Sequence, residues 1–436
     1  MQFIALFMLA FIFYICSKKE RTMSNQQLFY NIGNLVQVRG KTDKPLRGKE
    51  IQQLPTIKNA WMTVKDGKIE DYGTMEQLPE NFKGKRTDIG GRIILPAWVD
   101  SHTHIVYAQS REEEFVMKIL GKSYEEIAES GGGILNSALR LRECPEEELY
   151  TSAKKRLDEV ISLGTGAIEI KSGYGLDTDS ELKMLRVINR LKNEHPEIPM
   201  KRTFLGAHAF PPEFRNDREG YIRQIIEEML PAIEKEGLAD YVDVFCEKGF
   251  FTEEESDRIL KAGISRGLKA KVHANELALS GGVQVGVRNN AVSVDHLECM
   301  GEEEISLLKN SSTIATLLPS TAFFLDIDYA PARKLIDSGL AVSLASDYNP
   351  GTTPSGRLPF VMSLACIKMK MTPEEAINAM TINSAFAMES QDLCGSISRG
   401  KLANFIVLKE VPSLAFLPYA FGTDWIEQVY LGGNLS

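Results

Sequence analysis

The chain has 436 residues, of which 43% are hydrophobic and 25% charged, and its formal net charge is -9 at pH 7. This composition is typical of a soluble globular protein, and the length allows one large enzyme domain with a smaller satellite, or two to three ordinary domains. The acidic balance argues against nucleic acid as a partner, because binding to phosphates depends on lysines and arginines. Six widely spaced cysteines without a C-x-x-C pair indicate neither a disulfide framework nor a cysteine zinc site.

The chain begins with an apolar leader, residues 1–22. Phe3–Cys16 is almost wholly apolar and is followed by two lysines, but it is shorter than the ~20 residues that a membrane span needs. It also lacks the basic start and the small-residue cleavage site of a signal peptide. We predict that translation starts at Met23 and that the leader is an upstream artefact; a genuine anchor or export signal is the alternative. With a start at Met23, we expect a reducing, cytoplasmic compartment and no membrane partner.

The two flanks of the chain, residues 24–95 and 396–436, have the texture of short strands and turns. The first contains LFYNIGNLVQV, WMTVKDGKIEDYG and RIILPA. The second contains most of GSISRGKLANFIVL, which starts at Gly395, and also Trp425–Leu431. Asp66-Gly67 lies between two apolar segments, a pattern typical of a tight hairpin. We predict that the two flanks pair into one small composite β-sandwich.

Eight short apolar runs follow one another through the central region, residues 96–395. The first run begins slightly earlier, in the apolar stretch that precedes residue 96. The runs are IILPAWVDSHTH, AIEIKSGYG, KRTFLGAHA, YVDVFCE, KAKVHANE, AVSVDHLE, TIATLLPST and AVSLASDYN. Buried parallel strands look continuously apolar, and most of these runs are separated by amphipathic, helix-like stretches. The pattern predicts an α/β fold, a (β/α)₈ barrel, whose active site lies at the carboxyl ends of its strands.

Histidines close these runs. Two of them, His102 and His104, lie two positions apart after the first run, so in a strand their side chains point the same way and can hold one metal ion together. Five of the six histidines end strand-like runs, namely His102, His104, His208, His273 and His296. The sixth, His195, lies in a charged turn before a proline, and we expect it to be exposed. The distribution predicts a metal site.

The candidate metal ligands are His102, His104, His273 and Asp347. Neutral imidazoles and a carboxylate suit zinc and iron alike, so the residues leave the element open. A metal in such a site lowers the pKa of bound water and supplies a hydroxide nucleophile. We predict three catalytic residues: Asp347 as the base, Glu276 to orient water or carry a proton to the leaving nitrogen, and His296 to stabilise oxyanion charge or assist proton transfer.

Three side chains keep two interpretations open. His296 could instead be a histidine that only orients a ligand. Glu247 ends the fourth run and could bridge to a second metal, although we predict one ion. Lys171, at the end of the second run, is either a structural ion-pair partner or a site residue.

Several longer sequence strings limit the families to which the chain could belong. They are Tyr124–Ala128 with Gly131–Ile134, Glu169–Leu176, Thr203–Ala209, Val242–Glu247 and Asp347–Thr352. Together with the His-Thr-His pair, these strings resemble the amidohydrolase superfamily and, within it, the imidazolonepropionase family of histidine degradation. The likeness covers about residues 28 to 410.

The resemblance implies an activity and a set of pocket residues. The family hydrolyses the cyclic C–N bond of 4-imidazolone-5-propanoate to N-formimidoyl-L-glutamate, and it tends to form homodimers. From the ligand residues we predict one metal ion per subunit, Zn²⁺ or Fe³⁺. The small-molecule substrate carries a carboxylate that a guanidinium can bind by paired hydrogen bonds. By resemblance, the substrate-binding residues are Arg111, Tyr174, His208, Glu276, Asn349, Gly351 and Thr352. The family usually has an acidic residue where Asn275 stands, a departure that we expect to soften the electrostatics beside the metal.

Two rival functions remain. Another amidohydrolase, such as a cyclic imidase or a nucleobase deaminase, would share the metal ligands. Arg111 with Tyr174 argues against a deaminase, because a nucleobase has no carboxylate for them to hold. A catalytically silent barrel that only binds a ligand is the third possibility, and the complete set of metal ligands argues against it.

Overall fold

A computed structural model describes residues 26–122, 126 and 132–436. The predicted leader lies outside the described residues, as do most of Tyr124–Ala128 and Gly131 from the family-like strings. The strands are β1 (Gln26–Val36), β2 (Thr56–Lys65), β3 (Lys68–Thr74), β4 (Lys85–Asp88), β5 (Ile93–Pro96), β6 (Trp98–Asp100), β7 (Thr165–Lys171), β8 (Met200–Ala207), β9 (Tyr241–Cys246), β10 (Lys269–Ala274), β11 (Ser293–His296), β12 (Ile314–Leu317), β13 (Val342–Leu344), β14 (Phe405–Leu408), β15 (Ile426–Leu431) and β16 (Asn434–Leu435).

The helices alternate with the central strands. They are α1 (Glu112–Ile119), α2 (Ile134–Glu143), α3 (Glu146–Ser162), α4 (Thr178–Glu194), α5 (Arg218–Gln224), α6 (Leu230–Glu236), α7 (Glu253–Ile264), α8 (Gly282–Arg288), α9 (Glu302–Lys309), α10 (Pro319–Leu325), α11 (Ala332–Asp337), α12 (Leu358–Ile367), α13 (Pro373–Asn378), α14 (Ser384–Ala387) and α15 (Phe416–Tyr419). In the described part of the chain, none of them has both the length and the hydropathy needed to cross a membrane.

Local sequence explains where several helices begin. Helix α7 starts directly after Thr252, whose hydroxyl accepts a hydrogen bond from the Glu255 amide at 3.2 Å. The Glu255 carboxylate in turn accepts one from the Thr252 amide at 2.8 Å. This reciprocal pair satisfies two amides that have no partner within the helix. Helix α4 is capped by Asp177, which accepts a hydrogen bond from the amide of Ser180.

The central strands form the predicted (β/α)₈ barrel. Strands β6 to β13 lie side by side in chain order, and each neighbouring pair is parallel. The residues of β7 and β9 are buried throughout, because each strand packs between the barrel interior and the surrounding helices. The sequence prediction of this fold is confirmed.

The barrel closes where β6 and β13 meet, and we call this junction the seam. The Asp347 amide donates to His102 O at 3.0 Å, and the His104 amide donates to Tyr348 O at 2.8 Å. Below them, the Asp100 carboxylate accepts hydrogen bonds from the amide and the hydroxyl of Ser346 at 3.0 and 2.6 Å. The residues that join the first strand to the last therefore include three of the predicted site residues.

A second sheet is built from both flanks. Its order is β16-β15-β14-β5-β1-β2-β3, with β4 paired to β1. The predicted joining of the flanks is confirmed, and so is the hairpin between β2 and β3, whose Asp66 and Gly67 have φ of 51° and 77°. The bounds of the two domains, with barrel residues 96–395 between the flanks, stay a prediction.

The first predicted run is divided between the two sheets. β5 pairs with β1 and β14 in the flanking sheet, and only β6 enters the barrel. The chain changes sheets within one residue, since the Ala97 amide donates to Asn404 O at 3.0 Å and the Trp98 amide donates to Gly164 O at 2.8 Å. Continuous apolarity cannot reveal this change, because both segments are buried.

Aromatic side chains hold the flanking sheet together. The Phe29 ring packs edge-on against Phe405 and Tyr430 at centroid distances of 5.0 and 5.1 Å, and the latter two rings stack at 4.7 Å. Such pairs add stabilisation beyond the area that they bury. One cluster thus joins the start of the described chain to its end.

The prediction that His195 is exposed is wrong. Only 17% of its side chain is exposed, and its Nδ1 lies 3.2 Å from Glu197. The side-chain Nδ2 of Asn404 donates to Glu197 O at 2.8 Å, so the second flank covers this charged turn.

Candidate active site

The structure brings the predicted metal ligands of the seam together. The Nε2 atoms of His102 and His104 lie 3.3 Å apart, and Asp347 Oδ1 lies 3.4 and 3.6 Å from them. All three side chains are buried. The closeness of two ring nitrogens and a carboxylate oxygen indicates a site for a cation.

Two carboxylates orient two of the histidines. His102 Nδ1 lies 2.7 Å from Asp295 Oδ2, and His273 Nδ1 lies 3.1 Å from Asp243 Oδ1. Because an ionised carboxylate only accepts, each Nδ1 carries the proton and each Nε2 presents a lone pair. His273 Nε2 is buried and has no hydrogen-bond partner among the residues that the structure describes. Burial is the main cause that lowers the pKa of His102 and His273 well below its usual value, so both rings are neutral, as metal binding requires.

Within the described residues, two groups of three side chains could hold a metal ion, and their ligand atoms lie within 4.8 Å of one another. The groups are His102, His104 and Asp347, and His102, His273 and His296. The four predicted ligands all belong to these groups, which share His102. The second group also contains His296, which the sequence interpretation placed beside the metal. The donor set therefore fits a divalent metal ion.

Asp347 has a pKa near neutrality and an oxygen that faces the histidines, two properties that a proton acceptor at this site needs. Burial raises the pKa of Asp347 to about 7, close to the pH at which a group can both take and release a proton. Its Oδ2 accepts a hydrogen bond from Thr321 Oγ1 at 2.7 Å, while Oδ1 faces the two histidines. The residue has φ of 55°, a left-handed conformation that aspartate tolerates better than most residues.

Glu276 and His296 form a second titratable pair, on the loops after β10 and at the end of β11. Glu276 Oε2 lies 3.8 Å from His296 Nδ1. Burial, helped by Asp347 and Glu247, raises the pKa of Glu276 to about 8, whereas burial lowers the pKa of His296 to about 4. At neutral pH, Glu276 thus holds a proton that it can donate, and His296 is an uncharged ring beside it.

The predicted substrate residues line one cavity of about 360 Å³ together with the histidine and aspartate side chains. They are Arg111, Tyr174, His208, Glu276, Asn349, Gly351 and Thr352. Phe245 and Phe250 supply an apolar wall. A cavity of this size, in which polar groups converge beside an apolar wall, is suited to a small molecule.

Arg111 is held in place from one side. Its Nε and Nη2 donate to Glu114 Oε2 at 2.9 and 2.6 Å, and Glu114 Oε1 accepts from the Gly133 amide at 2.9 Å. A side chain at Gly351 would collide with Arg111 Nη1, so the guanidinium lies directly against the backbone there. The pairing with Glu114 is buried, unlike the solvated ion pair that the acidic run Glu112–Glu114 suggests.

The rings of His208 and Tyr174 lie beside the candidate metal ligands and add polar groups to the cavity. His208 Nδ1 donates to Gly173 O at 3.0 Å, and burial lowers the pKa of His208 to about 4, so its Nε2 is an acceptor. The His208 ring stacks on His104 at 5.5 Å. Burial raises the pKa of Tyr174, so its hydroxyl stays protonated and can donate.

Asn349 organises the loop after β13. Its Nδ2 donates to Asp347 O and to Thr352 Oγ1, both at 2.7 Å. Its Oδ1 accepts from the amides of Gly351 and Thr352 at 2.8 Å. One amide side chain therefore fixes the loop on which several cavity residues lie.

Two residues near the site hold neighbouring loops. Glu247 accepts hydrogen bonds from the amides of Lys248 at 2.7 Å and Leu277 at 3.0 Å, and it belongs to neither metal-binding group. Asn275 donates to Cys299 O at 3.2 Å and has φ of 55°. An ionised aspartate could not make that donation, which gives Asn275 a local role besides its neutral charge.

Sequence reasoning missed a buried charged cluster beneath the histidines. Its members are Glu169, Lys171, Asp243, Lys271 and Asp295, and Lys171 pairs with Glu169 and Asp243 at 2.8 and 2.7 Å. Of the two interpretations of Lys171, the ion pair is the one that the structure shows. The available signal is the presence of charged residues at alternate positions within otherwise apolar runs, which places them on the inner face of the barrel.

The raised pKa of Glu276 predicts a pH effect on stability. Its pKa of about 8 in the folded, metal-free protein exceeds the usual 4.5, so between these values the folded state binds more protons than the unfolded state. The free energy of unfolding therefore falls as pH rises through this window. Glu276→Gln is expected to remove this loss, about 1.4 kcal/mol for each pKa unit. Urea unfolding of both metal-free proteins at pH 6 and pH 9 measures it, and equal pH dependence would contradict the prediction.

Comparison with known proteins places the chain in a family. The amidohydrolase family profile matches residues 93–435. The imidazolonepropionase of Christiangramia forsetii is 54% identical over 408 residues, which cover 94% of this chain and 99% of the relative. That of Flavobacterium johnsoniae is 55% identical with the same coverage. The chain belongs to the imidazolonepropionases of the amidohydrolase family.

Solved structures support the fold of this amidohydrolase. The guanine deaminase of E. coli has 16% sequence identity and a TM-score of 0.68, with 94% of this chain and 98% of the deaminase covered. The guanine deaminase of C. acetobutylicum has 19% identity and the same TM-score over 94% and 100%. At these identities, the likeness concerns the fold of the amidohydrolase and not its substrate.

Proposed function

We propose that the protein hydrolyses the ring C–N bond of 4-imidazolone-5-propanoate to N-formimidoyl-L-glutamate, a step in histidine degradation. The imidazolonepropionase relatives support this assignment. The observation that carries it is that Arg111 and the histidine and aspartate cluster line the same cavity. A substrate with a propionate arm and a hydrolysable ring matches both groups.

We propose one metal ion, Zn²⁺ or Fe³⁺, held by His102, His104, His273 and Asp347. When bound, such an ion supplies Lewis-acid chemistry at neutral pH by lowering the pKa of water and polarising a carbonyl. The converging lone pairs of the neutral histidines support this ligand set. The same donors suit both elements, so elemental analysis of the native protein decides between them.

The chain's own residues divide the proton transfers. The Asp347 carboxylate, whose Oδ1 lies 3.4 Å from His102 Nε2, takes the proton of the attacking water. Glu276 positions the water and, with its pKa of about 8, gives a proton to the ring nitrogen that leaves. His296, next to Glu276, stabilises the tetrahedral intermediate. Proton acceptance and donation thus fall to two different carboxyl groups of the same cavity.

Other cavity residues bind and orient the substrate. The Arg111 guanidinium, fixed by Glu114, binds the propionate. Tyr174 donates from its hydroxyl, and His208 accepts at Nε2 from a ring N–H. The Asn349 loop carries Gly351 and Thr352 along the same wall. A nucleobase offers no carboxylate to Arg111, which favours the imidazolone over a deaminase substrate.

We infer a cytoplasmic homodimer as the working form. Family membership supports the inference, as do the apolar side chains of Phe115 and Ile119 on α1, which are 44% and 67% exposed. Apolar groups exposed close together often mark an interface. Light scattering on the purified protein tests the assembly.

A product assay tests the function. The purified protein receives imidazolonepropionate generated in situ from urocanate, and the product is identified by mass spectrometry before and after chelation. We expect a product that is heavier than the substrate by one water. Its formation should stop after chelation and resume when zinc or ferric iron is added. The absence of turnover in metal-loaded protein would contradict the assignment and direct the search to another cyclic amide or amidine.

A further inference from the structure

Beneath the candidate metal ligands lies the buried charged cluster, contributed by four strands of the barrel. Its members are Glu169 and Lys171 on β7, Asp243 on β9, Lys271 on β10 and Asp295 on β11. Their relative exposure does not exceed 1%. Two lysines face three carboxylates, so the cluster carries one formal negative charge in excess. Charges buried in this way persist only when they are paired and hydrogen-bonded.

One ammonium group connects the carboxylates that hold the histidines. Lys171 Nζ lies 2.7 Å from Asp243 Oδ2 and 3.5 Å from Asp295 Oδ2. The other oxygen of Asp243 accepts from His273 Nδ1 at 3.1 Å, and Asp295 Oδ2 accepts from His102 Nδ1 at 2.7 Å. Lys171 is therefore linked through Asp243 to His273 on β10 and through Asp295 to His102, which follows β6.

Lys171 remains charged in this setting. Burial by itself lowers the pKa of Lys171, but Asp243, Glu169 and Asp295 outweigh burial and raise the pKa above its usual value. The ammonium has three N–H donors and three carboxylate neighbours. The second lysine, Lys271, shares Glu169 with Lys171 and lies 3.3 Å from Ser101 O.

We propose that Lys171 is a positioning residue of the metal centre, which holds Asp243 and Asp295 so that His273 and His102 keep the ring orientation and tautomer that metal binding needs. The inference rests on the proposed metal site and extends it to a residue that touches neither metal nor substrate. Carboxylates that orient metal-binding histidines typically change metal affinity 10- to 100-fold when they are disturbed. Loss of the Lys171 contacts is expected to have an effect in that range.

Charge-matched variants separate this role from simple stability. Lys171→Met leaves one lysine with three carboxylates, an excess of two negative charges that can prevent folding. The double variant K171M/E169Q leaves one lysine with two carboxylates, so its net charge equals that of the wild type while the contacts to Asp243 and Asp295 are lost. The single variant E169Q keeps Lys171 and its contact to Asp243.

Zinc affinity is the readout, measured on each full-length metal-free protein by competition with a metallochromic chelator. We expect K171M/E169Q to bind zinc 10- to 100-fold more weakly than the wild type, with an altered absorption spectrum of the Co²⁺-loaded protein. E169Q is expected to stay within about threefold of the wild type, because it retains the Lys171 contacts. The melting temperature of each metal-free protein reports the stability separately.

Lys401→Met is a matched control for the loss of a buried cation. Lys401 is 6% exposed and donates to Cys394 O at 2.9 Å and Ser396 Oγ at 2.7 Å, with no carboxylate that holds a histidine. K401M is expected to lower the melting temperature and leave zinc affinity unchanged.

Two outcomes distinguish this inference from the proposed function. A K171M/E169Q protein with wild-type zinc affinity and an unchanged Co²⁺ spectrum would overturn the role of Lys171 while the metal centre stands. A wild-type protein that binds neither zinc nor iron would overturn the proposed metal centre itself.

Discussion

Replacing Asp347 by asparagine is expected to lower kcat at least about a hundredfold, and towards ten-thousandfold if proton acceptance limits the reaction. The wild-type carboxylate lies 3.4 Å from His102 Nε2 and has a pKa of about 7. The amide keeps the shape and the hydrogen bond from Thr321, but it cannot take a proton. Initial rates with imidazolonepropionate, together with the metal content of the same sample, measure the effect.

Asp326→Asn serves as the control for this substitution. Asp326 has φ of 56°, almost the same as Asp347 at 55°, but its side chain is exposed. The control is expected to retain wild-type kcat and metal content. Wild-type turnover by D347N with its metal bound would exclude Asp347 as the proton acceptor.

Replacing Arg111 by methionine is expected to raise KM about 10- to 100-fold, with a smaller change in kcat. A hydrogen bond to a charged group contributes about 1.5–3 kcal/mol, which corresponds to that range. Methionine keeps the apolar part of the side chain beside the cavity and removes the group that binds the propionate. Full saturation curves with imidazolonepropionate separate the effect on KM from that on kcat.

Arg140→Met is the matched control for the loss of an arginine. Arg140 lies on α2, pairs with Gln109 and is not among the residues that line the cavity. The KM of the R140M variant is therefore expected to stay near the wild-type value. A substrate analogue with an uncharged arm should also bind R111M and wild type alike. An unchanged KM for R111M with the natural substrate would place the carboxylate elsewhere.

The strands, and the convergence of the candidate ligands at one end of the barrel, could be predicted because they depend on local pattern. The runs around Glu169–Leu176 and Val242–Glu247 are apolar enough to identify buried strands, and parallel strands align their carboxyl ends at one edge. The residues that follow those strands must then meet. This argument needs no knowledge of the register between strands.

The pairing within the buried charged cluster could not be predicted because it depends on that register. Lys271 is opposite Asp243 in the pairing of β10 with β9, and Lys171 reaches Asp243 across β8. Nothing in the sequence near Lys171 specifies these partners. The division of the first run at Ala97 has the same origin, since both β5 and β6 are buried and only their pairing differs.

Backbone conformation at the site is a second property that the sequence did not reveal. His296 and Leu297 have φ of 84° and 68°, in a region that residues with side chains seldom adopt. Such strain persists only where surrounding contacts hold it, and it is frequent at functional sites. Here it occurs where β11 ends, next to the proposed metal ligands.

The seam between β6 and β13 determines when during the life of the chain the centre can exist. Asp100 and Ser346, which are hydrogen-bonded across it, are 246 positions apart. A nascent chain that ends before β13 carries His102, His104 and His273 but neither Asp347 nor the strand that closes the ring. The flanking sheet likewise waits for β14, which pairs with β5. With the proposed ligand set, the metal centre is therefore complete only after synthesis of nearly the whole polypeptide, when Asp347 joins the three histidines.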